Sequence, residues 1–434
     1  MLCVHRPKMR ALAFLTFLIC FYNIIERSDC GQNSTEHEKV LSIKAATEEQ
    51  VNVLKNISSC NQTALWQPAS PRHITAETEV HLYIYSGGVN HVTDLLDKHK
   101  ITYRVLLENA QELMKQQTRN ETADPRSSSA NADRYYSLED IYHWINKTRQ
   151  EHPEMVEVIM IGSSFEKHPL LVMKLSGRRA AVDKAMWMDC GIHAREWISP
   201  AFCQYFIRYV LTNYNRFPDI TSLLDKMDIY VLPVLNPDGY KYTWTTNRMW
   251  RKNRSVREDS VCVGADLNRN FDASWCTEGA SSDPCSEIYC GQYPESEPEV
   301  NAVAKFLRTH KDTVKFYFSI HSYSQMLLFP YSYTYELAQN HAELLDLVKD
   351  ASQKIRRFYG KLYRFGAGAK TIYLAPGGSD DWAYNQGIKY SFTFELQDQG
   401  KYGFLLPPSL ISSACNDALL AIKTIATRAL QKIQ

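Results

Sequence analysis

From Ser137 to the C-terminus the chain alternates short apolar runs with longer amphipathic stretches, and nothing else in it limits the fold so strongly. Residues 156–161, 170–175, 185–188, 229–234, 315–320 and 390–396 read as strands, and 201–214, 297–309, 338–359 and 409–430 as helices. Such alternation over some 300 residues predicts one large α/β domain: a mixed, mainly parallel sheet with helices on both faces. Ligands of sheets of this kind bind beyond the carboxyl ends of the strands. His193, His321 and Glu395 all fall at or just past such ends.

A smaller unit comes first. Residues 38–117 follow a β-α-β-β-α-β order, an α+β plait that offers no site residues of its own and reads as a cover or chaperone. Residues 118–134 are polar, proline-bearing and without periodicity, hence an exposed linker. Arg126 followed by Ser127 is an inviting cut for a trypsin-like protease. The N-terminus places Arg6, Lys8 and Arg10 before a short apolar run and small polar residues, the pattern of a secretory signal. The expected division is therefore 1–28 signal, 29–126 propeptide with linker, and 127–434 catalytic domain.

Secretion makes the 11 cysteines readable as disulfide candidates. It also makes the sequons at Asn33, Asn56, Asn61, Asn120 and Asn146 candidate glycosylation sites; four of the five lie before residue 127, which supports a boundary there. A formal net charge of +1 argues against nucleic acid as the main partner, and no later run is apolar enough for membrane insertion.

The chemistry starts at 185–197, AMWMDCGIHAREW, where an apolar run ends in His193, Arg195 and Glu196. His193 and Glu196 are spaced H-x-x-E, and His321 follows a second strand-like run. Two imidazoles and a carboxylate are the protein share of an open catalytic zinc site. Alternation puts Ser391, Thr393 and Glu395 on one face of their strand, and a lone carboxylate there is costly to bury without a partner. Glu395 suits a general base that passes its proton to a leaving amine. Asn268-Arg269 could clamp a carboxylate, since the guanidinium fork matches it bidentately. The run NRMWRKNRS (247–255) also reads as a surface basic patch, against the grain of the net charge.

In order along the chain, GIHAREW, NPDGY, MWRKNRS, DLNRNF, HSYS, IYLAPGGSDDW and FTFEL resemble the zinc metallocarboxypeptidases of the carboxypeptidase A and B family. The likeness runs from about residue 38 onward and takes in the plait as an activation propeptide. It implies one Zn2+ held by His193, Glu196 and His321, with Glu395 as base and acid and Arg254 stabilising the oxyanion. It also implies Asn268, Arg269 and Tyr373 on the substrate's terminal carboxylate, with Arg195 and Tyr323 along the substrate. Cys190–Cys203, Cys262–Cys285 and Cys276–Cys290 would pair. Asp380, aliphatic in relatives that take apolar ends, implies removal of C-terminal Lys or Arg; a neutral substrate would leave a buried carboxylate unpaired at roughly 3–5 kcal/mol.

Within the basic-specific group, ALWQPAS, TADPRSSSA and the sequon-rich propeptide resemble a plasma member of the family, and that likeness implies a secreted zymogen that trims C-terminal lysines from fibrin and so restrains fibrinolysis. A digestive pancreatic-type enzyme and an inactive zinc-retaining binding protein are the alternatives. One departure stands out: the family reads ELRDTG after the base, and this chain reads Glu395-Leu-Gln-Asp-Gln-Gly400.

Overall fold

The structure is a computed structural model that describes residues 37–118, 134–177 and 182–433. The signal region, Asn33, Asn120, Arg126 and Ser127 lie outside the described residues. Asn56, Asn61 and Asn146 are exposed.

The first module is a four-stranded antiparallel sheet under two helices. Its elements run β1 (Lys39–Lys44), α1 (Glu48–Ser58), β2 (Thr63–Gln67), β3 (Glu79–Ile84), α2 (Val89–Lys98), β4 (Thr102–Leu107) and α3 (Ala110–Thr118), in sheet order β2-β3-β1-β4. Thr47 caps α1 by accepting from the Gln50 amide, while Val51, Leu54 and Ile57 face the sheet at helical spacing. They pack on Leu41, Ile43, Val80 and Leu82, which point inward from the strands.

The second module is built on eight strands. They are β5 (Val156–Ser163), β6 (Pro169–Leu175), β7 (Ala185–Cys190), β8 (Asp228–Leu232), β9 (Val314–Ser322), β10 (Met326–Phe329), β11 (Arg364–Ala367) and β12 (Tyr390–Leu396). The order is β11-β10-β12-β9-β7-β8-β6-β5. The centre, β12-β9-β7-β8, is parallel, and antiparallel pairs flank it. Two apolar cores lie on its two faces, one between the sheet and the helices Ile198–Asn213, His341–Tyr359 and Ile411–Leu430, the other beneath Pro298–His310. Burial on both faces explains why β7 is buried at every position.

The ladder runs further than the sequence pattern suggests. β9 continues through His321 and Ser322 because Glu395 and Leu396 of β12 pair with them. His321 and Glu395 are thus register neighbours inside strands. His193 and Glu196 follow β7 in a tight turn. The short strands β10 and β11 and the helix Ser379–Asn385, which carries Asp380, are absent from the sequence reading, being too short for a period to show. Three disulfides close the second module: Cys190–Cys203, Cys262–Cys285 and Cys276–Cys290. The first ties the end of β7 to the following helix.

Candidate active site and metal centre

Because β12, β9 and β7 are adjacent and parallel, their carboxyl ends bring His193, Glu196, His321 and Glu395 to one cavity of about 380 Å³. His193, Glu196 and His321 are buried, and one donor atom from each lies within 4.8 Å of the others. The Nδ1 atoms of His193 and His321 are 3.1 Å apart, and the Glu196 carboxylate is 2.8 Å from one and 3.2 Å from the other.

The far nitrogens decide what these atoms can do. His193 Nε2 faces a carboxylate oxygen of Asp266 at 3.1 Å, so it carries the proton. His321 Nε2 faces Ser319 Oγ at 3.1 Å, and that hydroxyl donates its own proton to Asp189 at 2.7 Å. His321 therefore donates from Nε2 as well. Both Nδ1 lone pairs and a carboxylate then converge on one point, an arrangement that fits a cation and little else. Anchoring of the outer ring nitrogens by carboxylates and hydroxyls is the support that metal-binding histidines use.

Charge agrees with geometry. Burial works to lower the His321 pKa, yet Glu196 carries it up to about 9. Glu196 is held well below the carboxylate range by the two imidazoles, although burial opposes this. The centre calls for one positive charge. Burial pushes Glu395 up to about 8, with Glu196 adding to it and His321 and Arg251 opposing. Its Oε2 is buried without a partner. A carboxyl in that state can take or give a proton near neutrality.

One expected residue is elsewhere. The Arg254 guanidinium lies 3.7 Å over the Tyr242 ring and 4.5 Å over Trp250, and it does not line the cavity. Arg251, three residues earlier, does line it. Arg251 donates from Nε and Nη2 to Asp266 at 3.2 and 2.9 Å, leaving Nη1 to act in the cavity. Asp266 thereby holds His193 and Arg251 at once; the Arg251 charge and the hydrogen bond from His193 keep its pKa well below the ordinary range despite burial. Arg254, expected beside the metal, therefore lies outside this cavity, and Arg251 is the arginine of the same run that reaches it. The surface-patch reading of the same run fails too, because Arg248, Arg251 and Lys252 are all buried.

The remaining residues line the same cavity or its margin. Asn268 accepts from the Ser379 amide through Oδ1, which leaves its NH2 to donate. Arg269 donates Nη1 to the Asn268 carbonyl, and its Nε is unpartnered. Asp380 is 3% exposed, with one carboxylate oxygen unpartnered, and burial raises its pKa. Its neighbour Asp381 accepts from the Ser332 and Tyr333 amides and is a loop anchor. Arg195 sits over Phe404 and lines the adjoining cleft.

The first module shares the cavity: Trp66, Gln67, Pro68, Ala69, His73 and Glu79 line it beside the residues above. Trp66 packs edge-on against Phe404 and Tyr323, His81 Nδ1 lies 2.7 Å from the Tyr323 hydroxyl, and His73 stacks on Tyr373. Gly403 (φ 52°) makes room for Trp66, since a Cβ there would sit 2.5 Å from the indole. Arg248 ties the modules together by donating to Gln117 Oε1 and to the Phe404 and Arg195 carbonyls. Asp189, Ser319, Asp266 and Arg251 escaped the sequence reading. The first two had a signal, as polar residues inside otherwise apolar strands.

A zinc site fed by parallel strand ends and covered by a small plait defines the class. Residues 141–421 match the zinc carboxypeptidase family and residues 41–117 the carboxypeptidase activation peptide, and the chain belongs to that family, with Zn2+ as its cofactor. It is similar to carboxypeptidase B2 of Bos taurus, at 49% identity over 93% of this chain and 96% of the relative. Carboxypeptidase B of Bos taurus is 44% identical over 96% of this chain and 100% of that protein. A crystal structure of thrombin activatable fibrinolysis inhibitor superposes with a TM-score of 0.89 at 50% identity, covering 92% of this chain and 100% of that one.

Proposed function

We propose that this protein is the secreted zymogen of a zinc carboxypeptidase that removes C-terminal Lys or Arg, opened by a trypsin-like cut after Arg126. The observation that carries the specificity is the unpartnered oxygen of buried Asp380 in the same cavity as the metal centre. An ammonium or guanidinium would satisfy that oxygen, and an apolar side chain would leave it stranded. Domain limits of 29–126 and 127–434 follow from the proposed cut.

In this reading the substrate's terminal carboxylate is gripped by the Arg269 guanidinium and the Asn268 NH2, with Tyr373 closing over it once His73 has left. Tyr323 and Arg195 contact the preceding residue. When bound by His193, Glu196 and His321, zinc supplies Lewis-acid polarisation of the scissile carbonyl and a lowered pKa for attacking water. Glu395 takes the water's proton and delivers it to the leaving amine. Arg251, fixed by Asp266, donates Nη1 to the oxygen on which negative charge grows. The first module stands in the way of all this by forming one wall of the cavity, with Trp66, His73 and Glu79 in its lining.

Trimming of C-terminal lysines from fibrin, and hence restraint of fibrinolysis, is the physiological role that the similarity to the thrombin activatable fibrinolysis inhibitor supports. The test is turnover of blocked dipeptides ending in Arg or Phe, before and after tryptic nicking, with and without a zinc chelator. Strong preference for Arg, appearing only after nicking and lost with chelator, is expected. Equal turnover of both dipeptides would sink the role of Asp380, full activity without nicking the zymogen, and indifference to chelator the metal.

A further inference from the structure

The helix His341–Tyr359 buries a stripe at Leu344, Leu347, Val348, Ala351, Ser352 and Ile355. Continued at helical spacing, the stripe reaches Phe358 and Tyr359, but there the protein beneath it has run out. Phe358 is 65% exposed and Tyr359 45%. Gly360, in the left-handed region at φ 69°, ends the helix and turns the chain so that Leu362 also faces outward, at 56%. Three large apolar side chains thus project within five residues of sequence.

The same stretch of chain is rich in cations, and Arg357 lies 6.0 Å from the Phe358 ring centre. Residues 351–379 contain six Lys or Arg and no Asp or Glu, in a protein whose net charge is only +1. Lys354 is taken by Asp350 at 3.3 Å, and the field of Lys361 reaches the buried Asp417. Arg356 and Arg357 make no ion pair among the described residues and are exposed, as is Arg364, whose guanidinium donates to the Met326 sulfur. Basic residues in a last helical turn complement the helix dipole, which accounts for Arg356 and Arg357. It does not account for three apolar groups held out in water between them.

We propose that this end of the molecule adsorbs to an anionic lipid surface, with Phe358, Tyr359 and Leu362 entering the headgroup boundary and Arg356, Arg357 and Lys361 meeting the acidic headgroups. Protruding apolar groups next to cations in the chain are the chemistry of peripheral attachment, without any span crossing the bilayer. A sulfated polysaccharide would reward the cations alone and leave the apolar groups in water, so a bilayer is the better match. Arg364 lines the catalytic cavity too, so patch and cavity share an edge.

The test is cosedimentation of the full chain with phosphatidylcholine vesicles, with and without phosphatidylserine, at low and high salt. Binding is expected only with phosphatidylserine, weakening as salt rises. The double variant F358S/L362S should bind about ten-fold or more weaker, and R356S/R357S roughly five-fold weaker per cation. Both should keep the parent's unfolding midpoint and its dipeptide turnover after nicking. No binding of the parent, or unchanged binding of F358S/L362S, overturns the proposal. Retention on heparin without vesicle binding also overturns it, in favour of a polysaccharide site.

Discussion

Asp417 sits in the last helix, Ile411–Leu430, fully buried, and it offers a sharp test of how the departure at Gln397 is absorbed. Gln397 Nε2 donates to its Oδ2 at 2.5 Å and the Tyr363 hydroxyl to the same oxygen at 3.1 Å, while Oδ1 has no partner. Both donors are neutral, and the field of Lys361 opposes the shift only in part. Burial accordingly raises the pKa from 3.8 to about 6. A carboxyl raised in the folded state costs nothing below pH 3.8, where both states are protonated. The cost grows as the unfolded state alone ionises and is complete above about 6; two units at 1.36 kcal/mol each give about 3 kcal/mol. Asp417→Asn keeps both hydrogen bonds through its remaining oxygen and puts the NH2 where Oδ1 already stood alone. It should leave stability near parental at ~pH 4 and raise it by about 2–3 kcal/mol at ~pH 7.4. Gln397→Arg, the residue that the family pattern carries, should stabilise over the same range by pairing with Asp417, and its gain should vanish in the double variant. Thermal unfolding midpoints across that range measure all four proteins. A gain independent of pH, or one largest in acid, would refute the reasoning.

Arg251→Ala should lower kcat of the nicked enzyme by about 10²–10³, whereas Arg254→Ala, which only removes stacking on Tyr242 and Trp250, should cost about 1–2 kcal/mol of stability and leave kcat within a few-fold; steady-state kinetics on the two variants separates them. Asp380→Asn should cut the ratio of kcat/KM for Arg-ended over Phe-ended dipeptides by a few hundred-fold or more, as roughly 3–5 kcal/mol implies; an unchanged ratio would remove Asp380 from specificity. Trp66→Ala should raise turnover by the uncut chain, because the indole is the largest group of the first module in the cavity. Equal turnover with and without the indole would show that other contacts keep the cavity closed.

What the sequence made legible follows from where side-chain direction is fixed by period. In β9 and β12 alternation and parallel register put His321 beside Glu395, and the topology of parallel sheets puts such strand ends at a ligand. Asp189 and Ser319 were readable by the same logic: they are register partners in neighbouring apolar strands, and a buried polar pair there needs a task. The loop 249–255 has no period, so nothing in it says which of Arg251 and Arg254 turns inward. The choice is tertiary. Asp266, already committed to His193, captures the guanidinium nearest to it, and the rings of Tyr242 and Trp250 take the other. Gln397 fails for a related reason. It follows the last residue of β12, where the chain leaves the ladder, and its side chain crosses to Asp417 and Ser413 instead of staying by Glu395. A substitution two residues from the base therefore perturbs the seam between the sheet and the last helix, and its effect should show in stability against pH before it shows in turnover.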